Sequence, residues 1–282
     1  ELRLCRQVAG RADAARVGAL PLTGRGIDDE DAATAYHDAI TKVLDDIRRT
    51  QIGKIQQAGE AIAGSIASGG LAWLFGSGHS VIPVMDVFPR YGSFVGFVPL
   101  YDPRLMWSNV VGPGGARELL WIERQEGYAP VFLQSYALRR GDSFVVFSHG
   151  GLNAAPIEAA LYAKERGLTV ITVSSLANAA VAKATHSSGK RLSDVADIAI
   201  DNCVAPEDSQ VDVGRPEKVA AGSTMAVVYV AMTLVAETGA RLVAKGHQPT
   251  TFVSPNVPGV APGHNMRVFE TYARRLAERG AP

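Results

Sequence analysis

SFVVFSHGGLNAAPIEAALYAKERGLTVITVSS, residues 143–175, is the stretch whose reading decides the fold. Ser143–Ser148 is a short apolar, β-branched and aromatic run of the kind that forms a strand buried on both faces. Small residues follow, and then Ala154–Arg166 reads as an amphipathic helix with Pro156 in its first turn and Gly167 as its stop. Leu168–Ser175 is a second apolar run. A strand, a helix and a strand joined by short turns make a βαβ unit, which requires a parallel pair.

The pattern repeats outward. Toward the N-terminus, Asp28–Asp31 load acid onto a helix start, and apolar residues then recur at helical spacing from Ala39 to Ile66. Gly69 and Gly70 end that helix, and LAWLF (71–75) reads as a buried strand. A helix is expected after Gly78, an apolar run from Phe94 to Leu100, and a loop from Pro103 to Gly115. Residues 116–138 read as a helix broken near Gly127. Toward the C-terminus come a helix over 177–185, a short strand DIAID (197–201), one long helix over 216–243, a proline-rich irregular stretch over 247–263, and a last helix from Asn265 to Arg279. The sum is an α/β fold, a doubly wound parallel sheet with additional N- and C-terminal helices. Residues 1–27 read as a disordered extension and 28–282 as a single domain. The extension is Arg-rich and has neither an apolar h-region nor Ser, which argues against a secretory signal and an organelle transit peptide.

Composition narrows the function. Lys plus Arg is 28 and Asp plus Glu is 28, so the formal net charge is zero, which argues against a general nucleic-acid binder. No unbroken apolar run reaches the 18 or so residues of a membrane span. Cys5 and Cys203 stand far apart and the six histidines are scattered, so neither a disulfide framework nor a metal cluster is expected. The simplest setting is the cytoplasm.

Ligands of an open α/β sheet bind at the carboxyl ends of its strands. Two strand ends have suitable chemistry: Gly76-Ser77-Gly78-His79-Ser80 and Ser148-His149-Gly150-Gly151-Leu152-Asn153. Glycine lets the backbone approach an anion, and N–H groups at a helix start favour negative charge, so a phosphate is the natural guest. Neither loop matches GxxxxGK[ST], and Val81 stands where GxGxxG needs its third glycine.

These loops, with the AALYAKERGLTVITVSS that follows the second, resemble the sugar isomerase (SIS) domain family, whose loops read roughly G-x-G-x-S and S-x-S-G-x-[TSN]. HSSGKRLSDVADIAIDN (186–202) and FVSPNVPG (252–259) resemble a bacterial branch of that family related to phosphoheptose isomerase. The resemblance covers about residues 31–265. It implies a flavodoxin-like core, a homodimer or homotetramer and a sugar phosphate as partner; taken with the composition, no cofactor, metal, nucleic acid or membrane is expected. It also implies phosphate contacts at Gly78, Ser80, Ser148, His149, Gly150, Gly151 and Asn153. Gly150 departs from the second Ser of S-x-S-G, which removes one hydroxyl.

Aldose–ketose isomerisation needs a base at carbon and an acid at oxygen. Asp86 and Arg90, four residues apart, resemble the Glu and Arg of phosphoheptose isomerase, with Asp86 as the base and Arg90 as a ligand contact. Glu217, read at the start of the long helix, is a second candidate base, and Glu158 is a further candidate carboxylate. His186 and His79 are candidate acids. Ser187, Ser188 and Lys190 are candidate contacts to the ligand. The late-helix His of phosphoheptose isomerase has no counterpart between 215 and 240. Two other readings stay open: a sensing module that binds without converting, and an etherase or lyase acting on an amino-sugar phosphate.

Overall fold

A computed structural model describes residues 31–107, 109–112 and 115–280. The extension read over 1–27 lies outside the described residues.

Asp31 accepts the Thr34 N–H through its side chain and caps α1, Ala32–Ala67. Along α1 the residues Ile40, Val43, Ile47, Gln51, Ile55, Ala58, Ile62 and Ile66 recur at three- and four-residue steps, and all are buried. A fully buried Ile such as Ile47, Ile55 or Ile62 contributes about 1.5–3 kcal/mol relative to an exposed one. That stripe packs on α8, Ser223–Ala244. Gly59 permits the close crossing, because a Cβ there would lie 2.8 Å from Glu237 Cβ.

Five parallel strands form the sheet: β1 (Ala72–Gly76), β2 (Phe97–Pro99), β3 (Ser143–Phe147), β4 (Thr169–Ser174) and β5 (Ile198–Asp201), in the order β2-β1-β3-β4-β5. Alternate side chains feed a core on each face. Leu74, Val145, Phe147, Ile171 and Val173 join α1, α8 and α2 (Val81–Val87). Trp73, Phe75, Phe144, Val146 and Val170 join α3 (Ala116–Ile122), α4 (Tyr128–Leu133), α5 (Ala154–Glu165) and α7 (Leu192–Val195). The doubly wound parallel sheet expected from the sequence is the one observed. A short α6, Leu176–Val181, follows β4.

The helix read over 177–185 ends at Val181, and a larger expectation fails as well. The long helix read from 216 begins at Ser223. Residues Val219–Ala221 form β7, paired antiparallel with β6, Ser209–Val211. Asp208 holds the junction: its carboxylate accepts from the N–H groups of Gly222 and Ser223 and from Ser223 Oγ. Alanine-rich sequence favours helix locally, but pairing with a segment ten residues away overrides it.

α8 is, by length and composition, long and apolar enough to cross a membrane. Its stripe Ala226, Val227, Val230, Ala231, Leu234 and Leu242 is buried in the core beside α1. The last helix, α9 (His264–Ala277), is pinned at the amino end of the sheet. Arg275 donates to the carbonyls of Ile66 and Gly70, and burial pushes its pKa down. Beyond α9, Arg279 pairs with buried Asp142, whose carboxylate also accepts from Leu71 N, Trp73 Nε1 and Arg139 N.

Candidate functional site

β1 and β3 are adjacent, and Gly76 is in register with Phe147, so the two small-residue loops leave the sheet side by side. The chain passes from β1 to β2 on one side and returns to β3 on the other. The loops therefore sit at the point where strand order reverses, the usual ligand crevice of such sheets.

The first loop folds back on itself. Ser77 is extended, Gly78 takes a left-handed φ of +58°, and residues 78–80 make one tight turn into α2. A Cβ on Gly76 would lie 2.2 Å from the Ser80 carbonyl oxygen, so glycine is required there. Ser77 is buried and donates its hydroxyl hydrogen to Glu123 Oε2 at 2.9 Å. His79 is exposed and stacks on Trp107 with ring centroids 4.3 Å apart.

In the second loop, Ser148 Oγ accepts the Gly151 N–H at 3.2 Å, and Gly151 has a φ of +62°. Asn178 Nδ2 donates to the Gly150 carbonyl. Asn202 Oδ1 accepts from Val204 N, so its amide nitrogen is the group that donates to His149 Nδ1 at 3.1 Å. The neutral imidazole then carries its proton on Nε2, which is buried and has no partner. Gly150 is not sterically required: a Cβ there would meet only Asn178 Nδ2, at 3.9 Å.

Three glutamates lie around the start of α5, which follows the second loop. Glu123, at the end of α3, is 7% exposed; its carbonyl accepts the Ala155 N–H, and burial pushes its carboxyl above the ordinary range against the opposing bond from Ser77. Glu158, on α5, is buried; Oε1 accepts the Gly127 N–H at 2.5 Å and Oε2 has no partner. Glu126 accepts both the N–H and the hydroxyl of Ser187, which hold its carboxyl below the ordinary range. His186 Nε2 lies 3.8 Å from carboxylate oxygens of Glu126 and Glu158. A cavity of about 440 Å³ opens here, lined by Arg124, Glu126, Leu152, Asn153, Ala154, Thr185 and His186.

The expected site residues thus fall into separate places. Gly78, Ser80, Ser148, His149, Gly150, Gly151 and Asn153 lie on the two adjacent loops. His186 joins them through the cavity that it shares with Asn153. Ser187 and Ser188 are exposed on the same segment, and Lys190 is exposed beyond them. Asp86 and Arg90, read as a base and a ligand contact, form an ion pair at 2.5 Å; only Asp86 is on α2, and Phe88 is already extended. They line a different cavity, about 600 Å³, with Pro89, Tyr91, Phe252, Asn265 and Phe269, and no residue of either loop borders it. Glu217 is not at a helix start; it lies in the exposed hairpin connection between β6 and β7, 3.9 Å from Arg215. Glu123 and Glu126 were not singled out from the sequence. Their one signal was the helix break read near Gly127, since both lie in the connection between α3 and α4. Among the described residues, no group of three or more His, Cys, Asp or Glu has metal-binding geometry.

Residues 35–175 match the model of the SIS domain. A UPF0309 protein of Caldanaerobacter subterraneus subsp. tengcongensis is 34% identical over 245 residues, which cover 86% of this chain and 97% of the relative. A UPF0309 protein of Streptomyces coelicolor is 33% identical over 256 residues, covering 89% of this chain and 99% of the relative. Among solved structures, a phosphoheptose isomerase from Francisella tularensis aligns over 74% of this chain and 96% of its own, at 13% identity and a TM-score of 0.48.

Proposed function

This chain belongs to the SIS domain family, and within it to the UPF0309 group, and from that premise we propose that it binds a sugar phosphate at the paired loops and isomerises it between aldose and ketose. The observation that carries the reading is the Ser77–Glu123 hydrogen bond, which sets a buried carboxyl beside two anion-type loops at the strand-order switch. In this reading the phosphate rests on Gly78–Ser80 and on Ser148–Asn153. Glu123 takes the proton from the carbon next to the carbonyl and returns it to the neighbouring carbon. A carboxyl whose pKa is raised by burial exchanges protons nearer neutrality, as that step needs. His149 Nε2–H, a buried donor without a partner, suits the oxygen on which negative charge develops. The base is placed at Glu123 rather than Asp86 because Asp86 is paired to Arg90 at another cavity. We include in the proposal that the protein acts in the cytoplasm as a homodimer or homotetramer, without a redox cofactor or metal.

Incubation with pentose 5-phosphates and hexose 6-phosphates in heavy water, followed by proton NMR, tests this. Deuterium entering the carbon beside the carbonyl as aldose and ketose interconvert is the supporting result. Glu123→Gln should slow the exchange about 10²–10⁴-fold. Binding without exchange in the unaltered protein would instead favour the sensing module, a reading that the lack of histidine on α8 also supports.

A further inference from the structure

The cavity of about 440 Å³ beside the second loop has two features that the phosphate cradle leaves unused. His186 is one of its walls and its side chain is only 7% exposed, yet Nε2 has no hydrogen-bond partner. The ring's orientation is also set. The Ser188 backbone N–H donates to His186 Nδ1 at 3.1 Å, so Nδ1 is an acceptor and the neutral ring holds its proton on Nε2. Nε2 lies 3.8 Å from the Glu126 carboxylate, which is too far for a direct bond. Glu126 also lines the cavity, and the bonds from Ser187 keep it ionised. A fixed donor therefore faces a fixed acceptor across one corner of the cavity, and Asn153 connects that corner to the second loop.

We infer that this cavity seats the hydroxyl-bearing carbon chain of the phosphorylated ligand, with one alcohol group bridging His186 Nε2–H and the Glu126 carboxylate. An alcohol meets both demands at once, since its oxygen accepts from Nε2–H while its own hydrogen goes to the carboxylate. A protonated amine has no lone pair for Nε2–H, so this corner selects hydroxyl over ammonium. Glu158 lies 3.8 Å from the same nitrogen and Arg124 also lines the cavity, so these are the other charged groups around the bridge. The inference rests on the two loops holding the phosphate, and it makes His186 and Glu126 specificity-determining residues rather than phosphate ligands.

Isothermal titration of the full chain with inorganic phosphate, and separately with pentose 5-phosphates and hexose 6-phosphates, tests it alongside His186→Asn and Glu126→Gln. Glu126→Gln keeps a carbonyl oxygen for Ser187, and melting temperatures identify any variant that fails to fold, in which case the other variant decides. The expected result is that at least one sugar phosphate binds the unaltered protein more tightly than inorganic phosphate does. Each variant should weaken that sugar phosphate about tenfold while leaving inorganic phosphate within about twofold. Sugar phosphates that bind no better than inorganic phosphate, or that bind the folded variants as well as the unaltered protein, overturn this inference and leave the phosphate cradle standing. If the unaltered protein binds neither inorganic phosphate nor any sugar phosphate, the cradle reading fails and this one fails with it.

Discussion

Ser77, one residue past β1, donates its hydroxyl to Glu123 at the end of α3, and both side chains are buried. The bond ties the first loop to the helix break that also supplies Glu126 and Gly127. It places an ionisable group in low dielectric beside the strand-order switch, where a raised carboxyl pKa marks a candidate for proton transfer.

That burial has a consequence for stability. The folded chain keeps a proton on Glu123 at pH values where the unfolded chain has released it. Stability from this group is therefore full below the ordinary carboxylate range and is lost as pH rises through the raised value. Glu123→Gln keeps an acceptor for Ser77 and has no charge to bury. The melting temperature of the unaltered protein, relative to that of the Gln variant, should fall as pH rises from about 4 toward neutrality. A difference that is flat or that rises across this range contradicts the account.

Gly150→Ser should be tolerated and should tighten phosphate binding. Nothing approaches a Cβ there closer than 3.9 Å, and the backbone is not left-handed. One added hydroxyl to a charged group is worth about 1.5–3 kcal/mol, or at least tenfold in the dissociation constant of inorganic phosphate. The neighbouring Gly151→Ser is the contrast: its φ of +62° should cost about 1–3 kcal/mol in a denaturant titration.

Gly76→Ala should damage the first loop. The new methyl would meet the Ser80 carbonyl oxygen at 2.2 Å, so the turn must open. Stability should fall by about 1–3 kcal/mol, and inorganic phosphate should bind at least tenfold more weakly. Retained affinity in a folded Ala variant would show that the first loop does not hold the anion.

Arg279→Met should separate stability from binding. It removes the cation from buried Asp142, which keeps the N–H donors of Leu71, Trp73 and Arg139. A loss of about 3 kcal/mol on urea unfolding is expected. Asp142 precedes β3 at the end of the sheet away from the loops, so ligand dissociation constants should not change.

Much of this arrangement was readable before the structure. The apolar runs at 71–75, 143–148 and 168–175 form strands because both faces of a parallel sheet are buried, and continuous apolar sequence then has one outcome. The two loops were readable because glycine at positions such as 78 and 151 is required by left-handed backbone, a local property. The helix read over 216–243 was misplaced at its start because β7 depends on its partner β6, and local propensity carries no trace of that pairing. Asp86 and Arg90 do meet across their four-residue spacing, but spacing says nothing of which cavity they border, and theirs is not lined by either loop.

The sequence by itself determined the alternation of strand and helix, the two small-residue loops at strand ends and the family, because each depends on residues within one short segment. Only the tertiary structure decided which carboxylates meet those loops. Glu123 meets Ser77 of the first loop, while Glu126 and Glu158 meet Ser187 and His186 of a separate segment that shares a cavity with Asn153 of the second loop. Such convergence is set by packing across the sheet, with contacts between residues tens of positions apart, and no local pattern encodes it.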